Sequence, residues 1–132
     1  MNLYMLDTDI ASYIKKGNHP EVIEAFRKNL RNICVSAITT AELRYGAMKR
    51  NSQSLIWKVF AFGQLVKSVA WTTKAASAYA VIRSDIEKQG TPIGAMDLLI
   101  AASSIAEGAI LVTNNTQHFS RVKELKIENW CQ

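Results

Sequence analysis

The strongest constraint on the fold is an alternation. Short apolar runs (Leu3–Leu6, Ile33–Val35, Ser68–Trp71 and Ala109–Val112) are separated by long segments of helical character. Strands that are apolar at nearly every position are buried on both faces, as in a parallel sheet. Parallel neighbours also need crossovers of a dozen or more residues, most often helical. The pattern predicts helices over Thr8–Lys16, from Pro20 with Val22, Ile23, Phe26 and Leu30 on one face, from Thr39 to about Arg50, over Ser54–Val66, Thr73–Gln89 and Asp97–Glu107. A weak last strand is expected near Lys126–Ile127. The expected class is α/β, a parallel sheet covered on both faces by helices. No repeat or linker interrupts residues 1–132, which are read as one domain.

Composition narrows the function more than the fold. Apolar residues make up 48% and charged residues 20% of the chain, an ordinary globular balance that excludes disordered and low-complexity classes. The net charge of +5 permits a polyanionic partner without demanding one. No apolar run approaches the ~20 residues that span a bilayer, and the N-terminus lacks a signal-peptide pattern. Cys34 and Cys131 stand far apart, and with only His19 and His118 they make no zinc motif. Cys34, inside an apolar strand, reads as a buried structural thiol. A reduced, cytoplasmic protein is expected.

In parallel sheets, ligands bind beyond the carboxyl ends of the strands. Asp7 and Asp9 directly follow the first strand, and Glu42 follows the second by one turn. Asp97 is flanked by apolar residues in Ile93–Ala102, whereas the other acids lie among polar neighbours. Taken singly, Asp7 and Asp97 read as helix caps, and Glu42 as a member of a Thr39–Glu42 capping box. Taken together they are a candidate site, because the fold brings helix starts to one sheet edge. Two carboxylates ~5 Å apart repel by about 3 kcal/mol at an effective dielectric near 20, so a cluster needs helix N-termini, a proton or a cation. Oxygen donors without histidine favour Mg²⁺ or Mn²⁺. Thr113 and Asn115 also follow a strand: Thr113 can donate to a carboxylate, and Asn115 offers a neutral oxygen to a metal or its water. By spacing alone, Thr113–Thr116 reads as a turn.

Most basic residues, including Lys15, Lys16, Lys28, Lys49 and Lys88, fall in last turns of helices, where they complement the helix dipole. Arg44 and Arg83 fall mid-helix and are the better candidates for phosphate or partner contacts. Trp57, Phe60 and Phe62 read mainly as core, and in part as a partner surface.

Read together, these segments resemble PIN-domain ribonucleases of the VapC toxin type, from type II toxin–antitoxin pairs. Leu6-Asp7-Thr8-Asp9 resembles the opening LDTN motif, Ser36–Ala47 the second-acid segment, Gly90–Ala102 the third, and Leu111–Asn115 with Phe119 the strand-end motif near the fourth. The resemblance covers nearly the whole chain. It implies a three-layer α/β/α fold around a short, mostly parallel sheet. It also implies a Mg²⁺-dependent endoribonuclease, with Mn²⁺ able to substitute, that cleaves structured RNA, tRNA in particular. A homodimer and inhibition by a cognate VapB-like antitoxin are implied as well. Carried over, Asp7 and Asp97 hold the metal; Glu42 holds the metal or its water and acts as general base; Thr113 orients the acids. Two departures stand out. Asp9 replaces the usual Asn, and the fourth acid is absent, with Asn115 and His118 at the candidate positions. One well-occupied metal is therefore expected. The rival readings are a haloacid-dehalogenase-like phosphatase, suggested by Asp7-Thr8-Asp9 but lacking a late acid pair, and a catalytically weak PIN domain that binds RNA.

Overall fold

The structure, a computed structural model, describes residues 2–131. Five strands form one sheet: β1 (Tyr4–Leu6), β2 (Ile33–Ser36), β3 (Lys67–Val69), β4 (Ile110–Val112) and β5 (Lys126–Glu128). Every pairing is parallel, so the sheet is wholly rather than mostly so, in the order β3-β2-β1-β4-β5. The helices are α1 (Thr8–Lys16), α2 (Pro20–Asn29), α3 (Ala37–Lys49), α4 (Gln53–Leu65), α5 (Thr73–Gln89), α6 (Ala95–Glu107) and α7 (Thr116–Phe119). A single 3-10 turn, Leu30–Asn32, precedes β2. It turns Leu30 out of the α2 stripe, so Leu30 is exposed rather than packed beside the buried Val22 and Phe26.

The two-residue period of a strand explains why the apolar runs are unbroken. Met5, Cys34 and Leu111 face one way and pack with Ile82 and Ile86 of α5 and Leu98, Ile100 and Ala101 of α6. Leu6, Val35 and Val112 face the other way, onto Ile10, Val22, Phe26, Leu43 and Phe62. Helices cover both faces, which gives the expected three-layer α/β/α arrangement. Cys34 is buried as expected.

Three local readings need correction. The third helix does not start at a Thr39–Glu42 capping box. It starts at Ala37, with Ser36 as its cap accepting from the Ile38 amide at 3.1 Å. Ser36 is also the last residue of β2, so strand passes into helix with no loop. Asp97 does not cap the sixth helix, which begins two residues earlier after Gly94. The third strand lies slightly before the expected Ser68–Trp71, and Trp71 instead anchors its indole to the Leu99 carbonyl at 2.9 Å.

The topology locates a crevice. From β1 the chain adds β2 and β3 on one side, then returns to add β4 and β5 on the other. The reversal falls at β1, and in open parallel sheets the crevice at such a reversal, beyond the strand ends, is the binding position.

Candidate active site

Asp7 is the first residue beyond β1, and it is buried. Its backbone N–H donates to the Val112 carbonyl at 3.0 Å, fastening it to the end of β4. Its carboxylate accepts from the Ile10 amide at 2.9 Å and caps α1. The cap reading was thus right, but burial makes it an expensive cap. Desolvation pushes the carboxyl from the ordinary 3.8 to about 6, against the pull of hydrogen bonds from the Thr113 hydroxyl and the Ile10 amide, and the charges of Asp9 and Asp97 push the same way as burial. An uncharged polar side chain would cap the helix without that penalty.

Asp97 lies in the first turn of α6 and is half-buried. Its carboxyl is also raised, by burial first and then by the charges of Glu42 and Asp9, while His118 lowers it. The crevice therefore gathers Asp7, Asp9, Glu42 and Asp97 into one field of repulsion, from three different helix starts. Asp9 is exposed in the first turn of α1.

Glu42 occupies the second turn of α3, and its Oε1 accepts a hydrogen bond from Thr8. The Thr8 oxygen is also 3.2 Å from the Thr39 oxygen. The Thr8 hydroxyl is the donor toward both, and with one proton it serves Glu42 and Thr39 as alternative acceptors. The Thr8 hydroxyl thus ties Glu42 of α3 to α1. The sequence pattern offers no site role for Thr8, and offers Thr39 only as the start of a capping box. The available signals were the position of Thr8 between two acids and the three-residue spacing of Thr39 and Glu42, which shares a helix face.

Thr113 is fully buried just after β4. Its hydroxyl donates to Asp7 and accepts from the Asn115 amide at 2.9 Å. The expected turn is therefore present, and it is tied to the acid cluster. The Asn115 carboxamide lies 3.0 Å from His118 Nδ1. Of the mid-helix arginines, Arg83 pairs with Glu87 at 3.0 Å and with the Tyr79 hydroxyl at 2.9 Å, which explains it without phosphate. Arg44 lies on the wall of an apolar groove of about 390 Å³ between α3 and α4.

The donor set fits a hard divalent cation: oxygen ligands in a partly desolvated crevice whose mutual repulsion a cation would relieve. Among the described residues, no three Asp, Glu, His or Cys side chains crowd together tightly enough to form a closed cage.

The PIN domain family model matches residues 4–125. Ribonuclease VapC2 of Haemophilus influenzae is 40% identical over 128 residues, covering 96% of this chain and 97% of the relative. The chain belongs to the PIN-domain family, in its VapC group. Another relative, the tRNA(fMet)-specific endonuclease VapC of Salmonella typhimurium, is 33% identical, with 97% of this chain and 98% of the relative covered. Among solved structures, VapBC2 from Rickettsia felis bound to a promoter DNA fragment aligns with TM-score 0.91 at 34% identity, over 97% of this chain and 98% of the other. DNA-bound VapBC from Salmonella typhimurium aligns with TM-score 0.90 at 34% identity, over 99% and 100%. Family membership sets the phosphatase alternative aside.

Proposed function

We propose that this chain, a single domain over residues 1–132, is a Mg²⁺- or Mn²⁺-dependent endoribonuclease. In this reading it is the toxin of a type II toxin–antitoxin pair, acting in the cytoplasm on structured RNA of the tRNA class. The observation that carries the reading is Asp7, a buried carboxylate forced upward by desolvation and repelled by Asp9 and Asp97, at the point where the sheet reverses its strand order. A structural cap needs none of that.

Asp7 and Asp97 are the residues that would hold the cation, with Glu42 beside them. Bound there, a divalent ion would offset phosphate charge and lower the pKa of a coordinated water. Glu42, held at one oxygen by Thr8, keeps its other oxygen to orient a water and accept its proton as the water bonds to phosphorus, while the P–O bond to the departing ribose oxygen breaks and that oxygen takes a proton from solvent. Thr113 holds Asp7, and Asn115 continues the chain of hydrogen bonds outward to His118.

The test compares wild type with Asp97→Asn. Wild type is expected to cleave tRNA when Mg²⁺ or Mn²⁺ is present, to stop in excess chelator, and to arrest growth when expressed alone. Asp97→Asn is expected to lose at least a hundredfold in cleavage with an unchanged circular dichroism spectrum. Equal cleavage by both proteins overturns the assignment. A wild type that binds tRNA without cutting it favours the weak, RNA-binding reading.

We propose a face for the antitoxin as well. Trp57 and Phe60 were expected mainly in the core, but they are 61% and 59% exposed, and only Phe62 of the three is buried. Trp57 and Phe60 meet edge to face at 6.1 Å, and Tyr45 and Met48 of α3 are exposed as well. A patch of this kind beside a groove marks an interaction face. Because the Rickettsia and Salmonella relatives were solved as VapBC complexes, we assign this face to a VapB-like antitoxin. Replacing Trp57 and Phe60 together with Ala is expected to weaken antitoxin binding at least thirtyfold, read by calorimetry, since buried aromatic anchors dominate interfaces. The melting temperature of the isolated chain is expected to stay within a few degrees. Loss of the expected homodimer instead, read by light scattering, would reassign the face to a second copy.

A further inference from the structure

The crevice contains a chemical imbalance. Its side chains are overwhelmingly acceptors: the carboxylates of Asp7, Asp9, Glu42 and Asp97. An RNA strand brings more acceptors, its phosphate oxygens. A cation offsets part of the charge, but a strand seated against several carboxylates also needs hydrogen-bond donors from the protein. The hydroxyls of Thr8 and Thr113 are not free to serve, since they donate to Glu42 and Asp7.

His118 is placed to serve. It stands on α7, whose neighbouring residue Phe119 is buried and anchors the short helix in the core. A continuous run of hydrogen bonds leads to it from the deepest acid. Thr113 donates to Asp7, the Asn115 amide donates to Thr113 at 2.9 Å, and the Asn115 carboxamide nitrogen lies 3.0 Å from His118 Nδ1. That carboxamide nitrogen can only donate, so Nδ1 accepts, and the neutral ring carries its proton on Nε2. Nε2–H faces no protein acceptor among the described residues, and the side chain is exposed. The result is an oriented donor without a protein acceptor, open to solvent at the rim of a pocket of acceptors. Its place beside the cluster shows in Asp97, whose carboxyl a protonated His118 ring would lower.

We propose that His118 is a substrate-binding residue of this site, donating from Nε2 to a non-bridging phosphate oxygen of the RNA strand beside Asp97. The inference rests on the endoribonuclease reading. Asn115 is then the positioning residue that sets the tautomer and the ring plane, rather than a contributor to the metal shell. No proton is transferred and no bond to phosphorus is made by His118; its contribution is to binding.

The experiment measures initial cleavage rates against concentration of unfractionated bacterial tRNA, in Mn²⁺, for wild type, His118→Ala and His118→Gln. Wild type must cleave; if it cleaves nothing, the endoribonuclease reading falls and this inference falls with it. With wild type active, His118→Ala is expected to raise KM about tenfold while kcat stays within about twofold, because a hydrogen bond made equally in ground and transition state affects binding alone. His118→Gln, which keeps an N–H donor on a neutral side chain, is expected to recover most of the KM. Neither variant is expected to change the melting temperature or the Mn²⁺ concentration that gives half-maximal thermal stabilisation, and these two readouts exclude misfolding and metal loss. An unchanged KM in His118→Ala overturns the proposal. So does a glutamine variant as impaired as alanine, or a loss of Mn²⁺ binding in place of the KM effect.

Discussion

Asp7→Asn is expected to make the metal-free protein more stable and to abolish its cleavage activity. The ionised carboxylate of Asp7 sits in a buried position that raises it from 3.8 to about 6. The folded chain therefore holds a proton up to about pH 6, whereas the unfolded chain releases it near 3.8. Wherever the native state binds more protons than the unfolded state, stability falls as pH rises. The Asp7 contribution is thus most favourable below about pH 4, declines between pH 4 and 6, and is fully lost above. The displacement corresponds to about 3 kcal/mol. Asparagine keeps an oxygen for the Ile10 amide and removes the charge, so a gain of about 1–3 kcal/mol is expected at pH 7.5 in chelator, several degrees in melting temperature. The wild-type-to-variant difference should shrink toward pH 4.5. A variant that is less stable than wild type at pH 7.5, or a difference independent of pH, would sink the argument that Asp7 is kept at the expense of stability.

The second large effect is thermal stabilisation by Mn²⁺. A cation that binds only the folded chain stabilises by mass action, about 2.7 kcal/mol at a hundredfold excess over Kd. It is expected to do more here than occupy a site, because it offsets the repulsion among Asp7, Asp9, Glu42 and Asp97. Melting temperature should climb with Mn²⁺ and saturate, and the climb should vanish in Asp7→Asn and Asp97→Asn. Calorimetric titration is expected to show one tight site, on the proposal that Asn115 and His118 replace the fourth acid of the family pattern. Two equivalent tight sites would contradict this.

How much of this was legible in the sequence differs element by element. The parallel sheet was, because Leu6 and Val112 on one face and Met5 and Leu111 on the other leave no polar gap in the runs. Asp7 was, because a strand followed at once by Asp-Thr is both a cap and a sheet-edge acid. The start of α3 was misjudged. Thr39 and Glu42 have the spacing of a capping box, but Ser36 reaches the helix first, and a strand running straight into a helix leaves no turn residues to mark the change. Trp57 and Phe60 were misplaced for a different reason. α4 is apolar on more than one face, and periodicity cannot tell which face turns to the protein's own core. The Thr8 bonds to Glu42 and Thr39, and the run from Asp7 to His118, join residues that are far apart in the chain or depend on side-chain direction. No local pattern records them.

The strand order has a consequence for synthesis. β1 is the central strand, and it borders β2 from the first third of the chain and β4 from the last. Asp7 and Glu42 emerge early, but Asp97 and Thr113 arrive only when α6 and β4 dock on the still-vacant side of β1. A partly made chain thus has half of the crevice and no place for a strand of RNA. Cutting activity should switch on in one step, when the closing pieces settle. The same seam divides the chain into two halves that should each be inert and become active when combined.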